Sequence, residues 1–427
     1  MKKILLVLTL FIATVSYALD IECVGNAQQL THNGDTLFLF EKNPEVKSKI
    51  GAIDWYRLPD TVHAVQNNTD YLYPEHGAGY MLKKGHLREY FWVFDYTQLR
   101  ADVHAIEATP SCDNTVLTLT GAVPAMQYEN RYGQSKTYPR QCSVSYMNAQ
   151  WSKDSEQWVD SAVVEQVAFK DVITVGATPV ATAFAIRDAL LDSLGLVEDT
   201  LVSPVIEPIA LKANPLAVVT TRPNEKSNEV DRPVDPETLI NRSAPLEVYF
   251  RSNALNSEYY KWDLYKGTDK ILSRAEAEHR YTFMEPGAYR AVVAISNDDC
   301  QLDSVEFTIN VSESMLAVPN TFTPNGDGVN DEFRVSYRSL KEFHCWVYNR
   351  WGHLVYQWSD PAKGWDGNIG GKPAAEGAYY YVIRALGTDA ESDYISKPKY
   401  TKKVKKQEQL IGVYQLSGDI NLLRGGK

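Results

Sequence analysis

The stretch Trp346-Val-Tyr-Asn-Arg-Trp-Gly-His-Leu-Val-Tyr356 shows how the chain is to be read. Two runs of β-branched and aromatic residues, Trp346-Val-Tyr348 and Leu354-Val-Tyr356, flank a glycine-containing turn, which is the pattern of a β-hairpin. The pattern recurs outward from there. Residues 379–383 read as a further strand. Thr36-Leu-Phe-Leu-Phe40, Tyr90-Phe-Trp-Val-Phe94, Thr115-Val-Leu-Thr-Leu-Thr120, Glu247-Val-Tyr-Phe250 and Ala291-Val-Val-Ala-Ile295 all stand between clusters of turn residues. Helical periodicity is scarce; the best candidate spans 181–194, and a strand fits there almost as well. The 26 tyrosines, against 13 Phe and 9 Trp, suit half-buried strands whose rings pack inward while their hydroxyls reach water. We expect an all-β chain of tandem immunoglobulin-like β-sandwich domains joined by a Pro-rich linker.

A length of 427 residues allows roughly three domains after an export segment. Lys2 and Lys3, an apolar run and a small-residue site at Ala18 predict a signal peptide over 1–18, with soluble export and no membrane-spanning segment afterwards. The expected division continues with β-rich domains at 19–110 and 111–201, a Pro-rich linker at 202–240, a sandwich at 241–313 and a terminal domain at 314–427. An internal echo supports repetition: Trp55 precedes His76-Gly-Ala-Gly-Tyr80, Trp262 precedes Glu285-Pro-Gly-Ala-Tyr289, and Trp365 precedes Ala375-Glu-Gly-Ala-Tyr379. The net charge of −11 argues against bulk nucleic-acid binding. The one basic patch is a run of six lysines at 397–406, within an insert at 391–415. It reads as an edge hairpin with protective lysines, or as a contact for an anionic surface.

The C-terminal third is the most specific part. Val318-Pro-Asn-Thr-Phe-Thr-Pro-Asn-Gly-Asp-Gly-Val-Asn-Asp-Glu-Phe333, then Asn349-Arg-Trp-Gly352, Gly364-Trp-Asp-Gly367, the Ala374-Ala-Glu-Gly-Ala-Tyr379 strand and Gly418-Asp-Ile-Asn-Leu-Leu-Arg424 follow one another in order. This resembles the gliding motility-associated C-terminal domain, the type B sorting domain of the type IX secretion system of Bacteroidetes. The residues carrying the resemblance are Pro319, Asn320, Phe322, Pro324, Asn325, Gly326, Asp327, Gly328, Asn330, Asp331, Asn349, Arg350, Trp351, Gly352, Gly364, Trp365, Asp366, Gly367, Gly377 and Tyr379. It implies export through the periplasm to the cell surface, with the type IX translocon and surface-attachment machinery as partners. The insert 391–415 departs from the short hairpin usual in that family. The unit ahead, 241–313, resembles a PKD-type or immunoglobulin-like sandwich of the kind that often precedes such a domain.

Chemistry is sparse by comparison. Thr323, Asn325, Asp327 and Asp331 stand at alternating offsets of an EF-hand-like calcium loop, but Arg334 occupies the position of the bidentate acid. The competing reading is a tight turn stitched by Asx hydrogen bonds. Among eight histidines, only His76 and His86 suggest a metal pair. Cys112 and Cys142, flanking one β-rich segment, are the expected disulfide among five cysteines. Asp followed by Ser or Thr and an aliphatic residue occurs at Thr36, Thr61, Ser161, Ser193, Thr200 and Ser304, which resembles an O-glycosylation site of exported proteins in the same bacteria. No nucleophile elbow, phosphate loop or HExxH is present, so no catalytic residue and no cofactor beyond calcium is expected.

The expectation is a non-enzymatic surface module: structural, adhesin-like, or binding a surface glycan or protein. The alternatives are a secreted hydrolase within 19–200, or a component of the secretion or gliding apparatus.

Overall fold

The computed structural model describes residues 19–196, 200–222, 228–390 and 411–424. The expected signal peptide and the lysine run at 397–406 lie outside them. The described chain is almost wholly β and divides into two compact units, Met1–Ser152 with Trp158–Ala210, and Lys153–Gln157 with Leu211–Lys427. Among the described residues, no helix is long and apolar enough to cross a membrane.

The first unit opens with a six-stranded sheet centred on Asp35–Phe40, Leu87–Asp95 and Gly79–Lys84. A three-stranded sheet containing Ile21–Cys23 and Val46–Ser48 accompanies it, and a core of Trp55, Phe40, Phe91 and Leu82 is buried here. The central strands do not alternate: Leu37, Phe38, Leu39 and Phe40 are all buried, as are residues 91–95. A strand with both faces covered has no solvent side on which to place polar residues. Leu37, Leu39, Trp92 and Phe94 pack with Met126, Tyr128, Leu190, Leu191 and Leu194. Those five residues come from the hairpin Gln127–Glu129/Ser135–Thr137, its approach, and the helical turn Ala189–Ser193 with its C-cap Leu194.

The second sandwich of this unit pairs Asp102–Pro110, Asn114–Ala122 and Val172–Gly176 in one sheet. Its other sheet runs Gln157–Ala168, Gln141–Ser152, Ala185–Asp188, Leu201–Val202. Both sheets supply its core: Leu117, Leu119, Ile173 and Val175 from one, Val144, Tyr146 and Ile186 from the other, with Phe184 beside them. The helical candidate resolves into a strand, Ala185–Asp188, and one helical turn. Asp188 caps that turn by accepting from the Leu190 N–H at 3.0 Å.

The second unit holds a sandwich whose core is Leu246, Val248, Phe250, Trp262, Leu264, Phe283 and Tyr289. The segment expected as a free linker contributes to it. Leu216–Val219 pairs antiparallel with Leu246–Arg251, and Val219 is 2% exposed. Proline restricts central strands but not a short edge strand that begins just after one, and Pro215 stands in that position. The terminal domain is a five-stranded sheet including Leu340–Tyr348, Gly377–Gly387 and Val413–Leu422, with a core of Phe322, Phe333, Trp365, Ile383 and Ile420. Ser339 links it to the preceding sandwich, accepting from the Ala244 N–H at 3.0 Å and donating to the Ser312 carbonyl at 2.8 Å.

The Trp–Gly–Tyr echo has a structural basis. Trp55, Trp262 and Trp365 are fully buried, and Tyr80, Tyr289 and Tyr379 are nearly so. Tyr289 donates its hydroxyl to the Glu285 carbonyl at 2.7 Å, and Tyr379 does the same to Ala375 at 2.9 Å. Each is a tyrosine tied back four residues upstream, in the manner of a tyrosine corner. The corner needs a backbone that L side chains avoid: Gly287 has φ +143° and Gly377 φ +133°. Tyr80 differs, accepting from the Glu75 N–H at 2.9 Å.

Candidate functional site

The terminal-domain motifs, scattered over a hundred residues of sequence, are drawn together by the last strand. Thr321–Phe322 pairs parallel with it, Phe322 opposite Leu422, and the Asn421 N–H donates to the Asn320 carbonyl at 2.9 Å. Phe322 is buried against Trp365 and Phe333, with ring centroids 5.4 and 6.1 Å away. Phe333 and Trp365 exchange backbone hydrogen bonds of 2.8 and 3.1 Å, and the Trp365 indole donates to the Asn368 carbonyl at 2.8 Å. Asp366 fixes the following turn by accepting from the Asn368 N–H at 2.9 Å.

Arg424 fastens three motifs at once. Its guanidinium donates to the carbonyls of Gly367 at 2.8 Å, Pro324 at 3.3 Å and Ala374 at 3.3 Å, and its own N–H donates to Glu376 at 2.8 Å. Gly367 allows this approach: at φ +75°, a Cβ there would lie 2.9 Å from Pro324 Cγ and 3.3 Å from the Arg424 guanidinium. Gly364 packs equally tightly, since a Cβ would meet the Phe333 carbonyl at 2.7 Å. In the sequence Arg424 only closes the last motif, and no neighbour along the chain marks it for this role. Tyr379 stands beside this cluster, its ring 4.9 Å from Trp365, and burial pushes its phenol up against the opposing pull of Arg424 and Arg350.

The loop from Thr323 to Asp331 is stitched by Asx hydrogen bonds. Asp331 accepts from the N–H groups of Asn325 at 3.0 Å, Gly326 at 2.7 Å and Gly328 at 2.7 Å. Asp327 accepts from the Val329 N–H and the Asn325 amide, Asn325 accepts from the Asp327 N–H, and the Asn330 carbonyl accepts from the Thr323 N–H. These bonds are those of the tight turn stitched by Asx hydrogen bonds, the reading that competed with calcium. Asn349-Arg-Trp-Gly352 forms a hairpin tip with Arg350 stacked 4.2 Å from the Trp351 ring.

Elsewhere the expected sites separate. Cys142 carries a free thiol, fully buried and pushed up to about 12 chiefly by that burial, while Cys112 and Cys300 are the disulfide-bonded cysteines. The expected Cys112–Cys142 bridge is therefore not formed: Cys142 points into the core of the second sandwich beside Val144 and Phe184. His76 and His86 do not meet. His76 precedes the hairpin Gly79–Lys84/Leu87–Asp95 and accepts from the Asp95 N–H at 3.0 Å, whereas His86 lies in its turn. Among the described residues, no group of three or more His, Cys, Asp or Glu could hold a metal. Of the six Asp-Ser/Thr positions, Thr61, Thr200 and Ser304 are exposed, and Thr36, Ser161 and Ser193 are half-buried.

The first unit contains a cleft of about 1040 Å³ lined by Tyr96, Phe169, Asp188, Lys42, Arg100 and Asp102, among others. Asp188 is buried in an ion pair with Arg140, itself 6% exposed, and accepts from the Tyr96 hydroxyl at 3.4 Å. Burial and the Asp188 charge push the Tyr96 phenol up to about 12. It is therefore a hydrogen-bond donor at neutral pH, not a base.

Two segments of the chain match protein-family models. Residues 316–397 match the CHU_C Type IX secretion signal domain, and residues 104–203 match the Fibronectin type III domain. Among solved structures, the FN1–FN3 domains of chicken CNTN1 are similar over 76% of this chain and 99% of that one, at 10% identity and a TM-score of 0.27. No curated protein matches the chain. The chain is thus an all-β protein that ends in a type IX secretion signal domain and carries a fibronectin type III domain ahead of it.

Proposed function

We propose that this protein is a non-catalytic binding module of the cell surface, delivered by its C-terminal domain and presenting its N-terminal β-domains as cargo. The observation that carries this reading is the order of parts: a type IX secretion signal domain at 316–397 behind a fibronectin type III domain at 104–203. Sandwich arrays hold a binding surface away from the point of attachment without needing a reactive centre. The cleft of the first unit, with Tyr96 and Phe169 among charged groups of both signs, is where a surface glycan or protein segment would be held. Exposed Thr61, Thr200 and Ser304 are the proposed sites of O-linked modification.

Fractionation of the producing bacterium tests the address. The full-length chain is expected at the surface, and a chain lacking 316–427 is expected to remain in the periplasm. Surface exposure of both would refute the sorting role. Screening the full-length protein on arrayed glycans and surface proteins then tests the binding role. Turnover of a glycan or peptide abolished by Asp188→Asn or Asp102→Asn would replace it with the hydrolase reading.

A further inference from the structure

The hairpin tip of the terminal domain contributes nothing to the core beneath it, yet it is rigidly built. Asn349 accepts from the N–H groups of Trp351 and His353, both at 3.0 Å. The Asn349 N–H donates to the His353 carbonyl at 3.0 Å, the Gly352 N–H donates to the Asn349 carbonyl at 2.9 Å, and Gly352 sits at φ +80°. These bonds hold out an indole that is 68% exposed, with the Arg350 guanidinium 4.2 Å from its ring. An exposed tryptophan on a fixed backbone loses little entropy on being covered.

The apolar surface extends from the tip onto the sheet. Tyr348 is paired directly with Leu354 on one side and with Tyr380 on the other. Directly paired residues share a face, and this is the face away from the core, because Val347 and Tyr379 are buried while Leu354 and Tyr380 are 48% and 49% exposed. The outer face of a sandwich sheet ordinarily carries polar residues. Charge gives the surface a preference as well. Residues 343–357 contain no Asp or Glu, although the chain as a whole has 54 acids against 43 bases. Arg350 is the charge set against the indole itself, and the acid on this outer row, Asp419, stands one strand farther off, paired with Tyr380. Trp, Tyr and Arg are also the residues that dominate protein–protein hot spots.

We propose that this tip is where the sorting domain is read, with Trp351 and Arg350 entering together an apolar slot bordered by carboxylates on a protein receptor of the export machinery. The proposal rests on the sorting reading above, so its test must separate the two. In the producing bacterium, the full-length chain is compared with Trp351→Ala, Arg350→Glu, Arg350→Lys and the deletion of 316–427, and the surface fraction is read by protease accessibility on intact cells. Purified full-length variants are melted in parallel. We expect Trp351→Ala and Arg350→Glu to lower the surface fraction at least about tenfold with unchanged melting, and Arg350→Lys to stay within about twofold of wild type.

Wild-type surface levels for Trp351→Ala and Arg350→Glu, with the deletion held in the periplasm, would overturn the proposal and leave the sorting reading intact. Surface exposure of the deletion would overturn both. Retention accompanied by early melting would assign the tip to stability and also overturn the proposal. Normal export with lost binding to arrayed oligosaccharides would make it a ligand contact instead of a receptor contact.

Discussion

Acidification from about pH 7 to about pH 5.5 is expected to weaken the sandwich preceding the terminal domain through a single residue, His279. Its ring is 7% exposed, stacked on Phe250 at 5.0 Å and 18°, and edge-on to Trp262 at 5.4 Å. Neither ring nitrogen has a hydrogen-bond partner. Burial, opposed by Glu276 and reinforced by Arg274, lowers its pKa below the ordinary 6.5. The neutral ring is thus the folded form, so stability is fully present above the unfolded pKa. It declines as pH falls from there toward the folded value, because the unfolded chain takes up the proton first.

With an unfolded pKa of about 6.5 and 1.36 kcal/mol per pH unit, the loss over this interval has a ceiling of about 1.2 kcal/mol, the value for a ring that never takes up the proton when folded. For a domain of roughly a hundred residues that ceiling corresponds to a shift of no more than about 5–10 °C. The assay is thermal and urea unfolding of the full-length chain at both pH values, for wild type and for His279→Phe, which keeps the stacked ring and removes the titration. The difference between the two proteins should shift against wild type on acidification, by no more than about 1.2 kcal/mol. An identical pH response in both, or a wild type that gains stability on acidification, would refute the reasoning.

Breaking the buried ion pair of the first unit with Arg140→Ala should destabilise that unit by about 3–5 kcal/mol, since Asp188 would be left charged and uncompensated; a loss under about 1 kcal/mol in urea unfolding would contradict this. Replacing Arg424 with Ala removes the donor shared by three carbonyls and should cost the terminal domain about 1–3 kcal/mol. Lys should recover only part of this loss in melting experiments, because one ammonium cannot reproduce the fork. Millimolar calcium and a chelator should give the same melting temperature, and a calcium-dependent rise would favour the metal reading of the Thr323–Asp331 loop over the turn. Asp331→Ala should lower that temperature in either buffer, as three backbone N–H groups lose their acceptor.

Much of this molecule was legible because its signals are local. Alternation in Glu247-Val-Tyr-Phe250 and Ala291-Val-Val-Ala-Ile295 places Val248, Phe250, Ala291 and Val293 inward, and all four are buried. The Trp–Gly–Tyr echo pointed to repetition, and in two of its three copies a glycine two residues before the tyrosine and a carbonyl four residues before it build a corner. The motifs of the terminal domain were readable for the same reason, as turns and short strands in a fixed order. What misled was composition averaged over a window. Prolines and charges at 202–240 suggested a free linker, yet Leu216–Val219 supplies an edge strand whose partner lies thirty residues ahead. Spacing along the chain also proposed Cys142 as a disulfide partner, although its side chain faces a sandwich core.

The sequence by itself determined the fold class, the repeating Trp–Gly–Tyr pattern and the presence of an export address, because strand alternation and turn chemistry depend on residues a few positions apart. Only the tertiary structure decided that Leu37–Phe40 would be buried on both faces, that Arg424 would tie three motifs together, and that Trp351 would stand outside the core. Those outcomes depend on which surfaces meet across separations of a hundred residues and more. Such encounters are selected by burial and hydrogen-bond satisfaction in three dimensions, and they leave no period in the chain.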